Sequence, residues 1–395
     1  MLSKTRVAFL FFLFFFSFTV QAQIGYFLKI AFRNPEAIQL RLEKQLAKGE
    51  MNTDKLFFKS KDGKDSISVI AASAGRPCKE CLDAFLAKRQ QLEPYMDVQQ
   101  ELNKSIKEAL KNDDIDMLDY LIELNVDINY DCECCFRRSP LLIALSYKRY
   151  ASFFKLMKLG ANPYAIDQNG KNALHMALMM HNKFDGVTGS ALSKRTDTII
   201  GILDTLLNRG VPIQQKDLQG FTPLILAGGD GDAEVFEHLR LKGAGVQLDD
   251  QAEVVSLLNN ILSHNPYALG SKSKTLYEKV VDDYHIQFSK SLFDTRDFDG
   301  AYSILWAVSR DNYKAFDTIM KYKADVNVRD LQNKSALSYA VNNHNDYMCE
   351  KLLDAGAIVD VRKSKYKAAF ESHTVLLEKF RKARRAQKKN GKHVN

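Results

Sequence analysis

Five segments of this chain are copies of one short phrase, and a chain built from tandem copies folds by stacking units on their neighbours instead of collapsing around one centre. The best copy is Gly220-Phe221-Thr222-Pro223-Leu224 with Ala227. The frame returns as Ser139-Pro140-Leu141-Leu142-Ile143-Ala144, Gly170-Lys171-Asn172-Ala173-Leu174-His175-Met176-Ala177, Gly300-Ala301-Tyr302-Ser303-Ile304-Leu305-Trp306-Ala307 and Asn333-Lys334-Ser335-Ala336-Leu337-Ser338-Tyr339-Ala340. The closing alanine recurs at a spacing of 33 residues, from 144 to 177 and from 307 to 340.

Each position of the phrase has a physical task. Asp217 with Gly220, and Asp297 with Gly300, shape a turn, the carboxylate binding nearby amides and glycine accepting a positive φ. Ser139, Asn172, Thr222 and Ser335 stand where a side chain satisfies the first free amides of a helix. Pro140 and Pro223 follow at the first helical turn, where a missing N–H costs nothing. The alanine lets a neighbouring helix approach closely. Leu206-Leu207 and Leu352-Leu353 fill the layer between second helices, which end at Gly160, Gly210, Gly243 and Gly356 in a left-handed residue.

This combination resembles the ankyrin repeat, down to Leu124-Asn125-Val126-Asp127-Ile128-Asn129 and Lys323-Ala324-Asp325-Val326-Asn327, which stand for its terminal Gly-Ala-Asp-Val-Asn phrase. The resemblance covers roughly 101–361, with gaps. It implies an all-α ankyrin-repeat solenoid of stacked helix pairs with short hairpin loops, a scaffold that binds proteins and normally catalyses nothing. At the position of His175, it implies a histidine bonded between repeats and not a catalytic one.

The copies are uneven. Ala177 to Ala227 spans 50 residues, which places an insertion near 181–195. Ala227 to Ala307 spans 80, room for one degenerate repeat with an insertion within 248–294. There Val254, Leu257, Leu258, Ile261 and Leu262 keep helical spacing, as do Tyr277, Val280, Val281 and Tyr284. Residues 23–100 read as a divergent helical, ankyrin-like region, with Asp62-Gly63 and Ser66 to Ala72 as a repeat beginning whose register is off by one; a separate small helical domain is the alternative. Residues 362–395 read as a capping helix over about 364–386, using Ala369, Val375, Leu376 and Phe380, followed by a basic tail.

Lys4 and Arg6 ahead of the apolar run Val7–Phe16, with Val20-Gln21-Ala22 beyond it, read as a secretory signal peptide over 1–22. The apolar stretch is shorter than the ~20 residues a spanning helix needs. The expected location is therefore a bacterial periplasm or the exterior, with no stable membrane insertion after cleavage near Ala22. The formal net charge of +8 is uneven: +10 lies beyond Val361 and +2 in the leader, leaving −4 for 23–361. The basic end reads as a solvated helix terminus, with binding of anionic lipid headgroups or of an acidic partner as the alternatives; export disfavours nucleic acid.

Five of the six cysteines cluster as Cys78 and Cys81, and as Cys132, Cys134 and Cys135, whereas Cys349 lies among second-helix leucines and reads as a buried thiol. In an oxidising compartment the five are disulfide candidates, and their odd number leaves one over. A zinc site of four thiolates and a redox Cys78/Cys81 pair are the other readings.

No His-Glu-x-x-His, Gly-x-Ser-x-Gly, phosphate loop or complete calcium loop occurs, so no enzyme, cofactor or metal is expected. The expectation is a monomeric, non-enzymatic protein-binding scaffold, one role being neutralisation of a toxin or effector; an envelope-stress or redox-linked protein and an envelope-surface binder are the alternatives. The exposed positions assigned to a protein partner are Tyr147, Lys148, Tyr150, Met180, Phe221, Phe298, Arg310, Tyr313, Asn342 and His344, with local packing as the competing explanation for Phe221 and Phe298.

Overall fold

A computed structural model describes residues 57–59, 66–74, 79–94, 96–131, 136–179, 190–230, 232–263, 280–281, 284, 286–360, 363–371 and 373–389. They fall into two compact units, one ending at Gln168 and one beginning at Asn169. Residues 1–22, expected to be a signal peptide, and Cys78, Cys132, Cys134, Cys135, Met180, Tyr277 and residues 181–189 lie outside the described residues.

Helices dominate both units. Among the described residues, the one departure from the all-α expectation in named strands is an antiparallel hairpin in the first unit, β1 (Phe57–Lys59) paired with β2 (Ser66–Ser68) in the register Phe58↔Ile67. It leads directly into α1 (Val69–Ala74), where the Ser68 hydroxyl accepts from the Ala71 amide at 3.1 Å. After α2 (Lys79–Leu86) and the single turn α3 (Arg89–Leu92) come two helix pairs, α4 (Val98–Asn112) with α5 (Ile115–Glu123) and α6 (Pro140–Ser146) with α7 (Tyr150–Lys158). α1 packs on α4, and α4 on α6, so first helices form one layer.

The second unit repeats the plan. α8 (Ala173–Met179) is followed by α9 (Ser190–Asn208), α10 (Pro223–Asp230) by α11 (Ala233–Leu241), and α12 (Gln251–Ser263) by the short α13 (Lys290–Phe293). Then come α14 (Ser303–Ser309) with α15 (Tyr313–Lys321), α16 (Ala336–Asn342) with α17 (Asp346–Asp354), and α18 (Lys363–Ala369) with α19 (Thr374–Lys389). First helices α8, α10, α12, α14, α16 and α18 pack successively, each on the next. The signature alanines sit in these contacts: Ala177, Ala227, Ala307 and Ala340 are no more than 1% exposed. Part of the 181–195 insertion lengthens α9 at its start, where Thr196 donates to the Asp232 carboxylate at 2.8 Å.

The turn chemistry expected of the phrase is present. Asp217 Oδ1 accepts from the amides of Gln219 and Phe221, Asp297 Oδ1 from that of Ala301, and Asp330 Oδ1 from those of Gln332 and Lys334. Asn172, Thr222 and Ser335 cap their helices through the amides of His175, Ile225 and Ser338. Ser139 does not, and Pro140 supplies the helix start by its fixed φ instead. At Gly220, φ is +96°, and a Cβ would stand 3.1 Å from the Phe298 ring, so the position requires glycine for both conformation and space. Asn125 and Lys323 take the same left-handed role without being glycine, at φ 57° and 55°.

The closing phrases carry a bond to the next copy, 33 residues on in the first unit and 31 in the second. Asn129 Oδ1 accepts from the Asn162 amide at 2.7 Å in the first unit, and Asn327 Oδ1 from the Ile358 amide at 2.7 Å in the second.

The C-terminal expectation needs correction. The single helix over 364–386 is two helices, broken so that Tyr366 stacks on Phe380 at 4.5 Å and Phe370 follows at 6.2 Å. Val375 is 64% exposed and covers nothing; Leu376, Leu377 and Phe380 do the covering.

Candidate functional site

The hairpins of the second unit interlock through one side chain each. The residue after the turn aspartate lies on the glycine of the preceding hairpin: Leu218 on Gly170, Phe298 on Gly220, Leu331 on Gly300. Leu218 also donates its amide to Asn169 O at 2.9 Å. The tips are thus held in place from behind, yet Leu218 and Leu331 remain 79% and 70% exposed.

Behind the tips the turn aspartates reach a second partner through Oδ2. Asp217 binds Lys171 Nζ at 2.5 Å, with both side chains under 10% exposed. Asp297 accepts from Asn259 Nδ2 at 2.8 Å and from Trp306 Nε1 at 2.6 Å. Asp330 accepts from Tyr339 Oη at 2.6 Å. Burial, and then this bond to Asp330, push the Tyr339 phenol well above its ordinary pKa. At the tip, desolvation and the carboxylates of Asp297 and Asp217 raise the Asp299 carboxyl, with Lys171 opposing.

These bonds fix two rings on the exposed side of α14 and α16. Tyr302, Trp306 and Arg310 recur at four-residue spacing and therefore share one helix face. Arg296 lies 4.9 Å from the Tyr302 ring centre, Arg310 5.9 Å from Trp306, and Lys334 5.2 Å from Tyr339. The outcome is a surface of half-buried aromatic rings overlain by exposed cations.

His175 is fully buried, with Nδ1 2.6 Å from Asn172 Oδ1 and Nε2 3.0 Å from the carbonyl of Phe221 in the next hairpin. Both ring nitrogens are engaged in packing the array.

The positions assigned to a partner from sequence separate into groups. In the first unit, Tyr147 is exposed at the end of α6, with Lys148 and Tyr150 half-buried in the turn into α7. Phe221 is 6% exposed, its ring edge-on to half-buried Phe298 at 5.6 Å, which removes it from the accessible surface. Arg310 joins the aromatic face. Tyr313 lies instead on second helix α15, packed at 5.7 Å on Tyr347, its hydroxyl accepting from Asn345 at 3.0 Å. Asn342 is exposed at the end of α16, and His344 occupies a left-handed turn with Nδ1 3.4 Å from Ala369 O. Tyr302, Trp306 and Tyr339 stand within the repeat frame; the four-residue spacing Tyr302–Trp306–Arg310 was the available signal for the first two, and Tyr339 repeats the place of Trp306 one period of 33 later.

No family model matches the chain. It is similar to phosphocholine transferase AnkX of Legionella pneumophila, 22% identical over 326 residues, which is 80% of this chain and 31% of that protein. It is also similar to transient receptor potential cation channel subfamily A member 1 of Drosophila melanogaster, 29% identical over 130 residues, 33% of this chain and 10% of the channel. The chain thus spans less than a third of either relative's length.

Of the disulfide candidates, only the Cys81 backbone, in α2, is described. Cys349 is a buried free thiol whose pKa burial raises, with Asp346 adding to the shift. Among the described residues no group of three or more His, Cys, Asp or Glu side chains could hold a metal ion, and no helix is long and apolar enough to cross a membrane.

Proposed function

We propose that the chain is an exported ankyrin-type repeat protein of the bacterial periplasm that acts by holding another protein across its hairpin tips and first-helix faces. Neutralisation of that partner is its role, and no bond is made or broken. The partial likeness to AnkX and to the channel supports repeats of this kind. The transferase activity in AnkX's name belongs to that protein, of which this chain covers 31%.

The observation that carries the reading is the pair of apolar tips, Leu218 and Leu331, exposed at 79% and 70% while packed from behind on a glycine. Rigid apolar groups offered to solvent lose little entropy on association, which suits an interface. The test places a photo-crosslinking residue at Leu331 in the full chain and compares Leu218→Asp with Leu241→Asp, the latter 72% exposed at the end of second helix α11. A discrete crosslinked protein lost with the tip substitution and retained with the control supports the proposal. No crosslink, or equal loss with both, overturns it. Amino-terminal sequencing of the protein from periplasmic extract, expected to begin near Gln23, tests export separately.

A further inference from the structure

Several cations of the second unit are paired with carboxylates. Lys216 binds Glu253 at 2.6 Å, Arg329 binds Asp360 at 2.8 Å, and Lys379 binds Glu350 and Asp354 at 2.7 and 2.8 Å. Arg296, Arg310 and Lys334 have no carboxylate partner among the described residues, and all three are exposed over aromatic rings. The nearby carboxylates are engaged beneath those rings, Asp297 with Asn259 and Trp306 and Asp330 with Tyr339. Asp299 senses Asp297 and the preceding hairpin's Asp217 and Lys171.

We propose that this face of α14 and α16 docks a short acidic, extended segment of a partner protein, its carboxylates meeting Arg296, Arg310 and Lys334 and its backbone lying over Tyr302, Trp306 and Tyr339. The inference rests on the protein-binding reading above and assigns it a site and a chemistry. Size agrees. Tyr302 to Arg310 covers eight residues, or about 12 Å along the helix axis, and neighbouring helices stand about 9 Å apart. An extended segment of about four residues spans the same length. Rotamers fixed by the Asp297 and Asp330 bonds lower the ordering cost of binding. The Arg310 guanidinium over the Trp306 plane keeps its N–H edge for a carboxylate, while Arg296, whose Nε donates to Tyr302 Oη at 3.1 Å and Nη1 to Gly300 O at 2.9 Å, is itself held in place and offers Nη2.

The chain contains one tryptophan, so fluorescence reports Trp306 directly. The probe is a flexible glycine-serine peptide bearing four consecutive glutamates, titrated into the full chain beside the same peptide with four glutamines. The glutamate peptide is expected to shift Trp306 emission saturably, with affinity falling as salt rises. The variant Arg296→Gln/Arg310→Gln/Lys334→Gln is expected to weaken it at least about tenfold, with unchanged circular dichroism. An equal response to the glutamine peptide, an undiminished response in the triple variant, or no saturable change overturns the assignment. Failure here with the Leu331 crosslink intact removes the acidic preference and leaves protein binding standing; loss of that crosslink as well removes both.

Discussion

Gln387 tests how the array ends. It lies in the basic α19 yet is 8% exposed, because Oε1 accepts from the Val359 amide and Nε2 donates to the Ala357 carbonyl, each at 3.2 Å. Val359 and Ala357 are 0% and 2% exposed, so the amide group of one glutamine occupies the place that a following repeat would fill. Gln387→Ala removes two hydrogen bonds and leaves a buried donor and acceptor unpaired, at about 1–3 kcal/mol for each group. The truncation also opens room for water at the chain's end, which restores part of the loss, so about 2 kcal/mol is expected. Gln387→Leu fills the space with an apolar group, excludes that water and is expected to cost about 3 kcal/mol. If volume and helix propensity governed the site, leucine would be the milder change, so the order of the two variants decides the mechanism. Because repeat arrays open in segments, the readout is amide hydrogen exchange at Val359 alongside denaturation. A local cost of 2 kcal/mol speeds exchange about 30-fold. Unchanged Val359 protection in both variants, or a leucine variant as stable as the parent, refutes the latch.

Gly220→Ala is expected to cost about 2–3 kcal/mol, whereas Gly243→Ala, at nearly the same φ (+95° against +96°) but with nothing within 4 Å of the new Cβ, costs about 1 kcal/mol; the difference in urea midpoints measures the Phe298 contact. Lys323→Gly relieves a left-handed lysine at φ 55° and is expected to stabilise by about 0.5–1 kcal/mol in the same assay. The Asp204 carboxyl is lowered by the bond from Lys242 and then, against the opposing effect of burial, by His238. Its folded pKa thus lies below the unfolded value of about 3.9. The stability it contributes is complete above that value and disappears as pH falls through the folded pKa. Lys242→Met is therefore expected to flatten the acid limb of a stability–pH curve below about pH 4 while leaving its neutral plateau shape unchanged.

Local chemistry was legible in the sequence. Asp217 and Gly220 make their turn with amides no more than four residues away, and the place of His175 in the repeat frame already implied a bond between repeats, which the Phe221 carbonyl supplies across the inserted residues. Juxtapositions that depend on a change of length were not. From Gly210 to the start of α10 at Pro223 is thirteen residues, but from Gly243 to the start of α12 at Gln251 is eight, so the degenerate unit has no room for a hairpin tip. The next tip takes that place, which is why Phe298 reaches Gly220 and Phe221 and why Phe221 is buried. Gln387 was hidden for a related reason: a run of Lys and Arg dominates its segment, and burial of one amide among them depends on how α19 meets Val359.

The same reasoning separates stability from recognition on the aromatic face. A surface cation paired with a carboxylate contributes about 0–1 kcal/mol, and an unpaired one contributes less. Arg296, Arg310 and Lys334 therefore act on the fold through cation–π contacts of about 0.5–1 kcal/mol each at exposed sites, with two exposed hydrogen bonds from Arg296 to Tyr302 Oη and Gly300 O beside them, and glutamine retains part of this by packing on the ring. Their combined replacement is expected to lower stability by about 1–2 kcal/mol, less than the single change Asp297→Ala. That substitution removes the acceptor for Ala301 N, Asn259 Nδ2 and Trp306 Nε1 together, at about 3 kcal/mol or more. If the three cations served the fold first, the order would reverse, and the triple variant would unfold before the carboxylate variant in a thermal melt. The expected order instead identifies Asp297 as the framework of the face and the cations as its recognition groups.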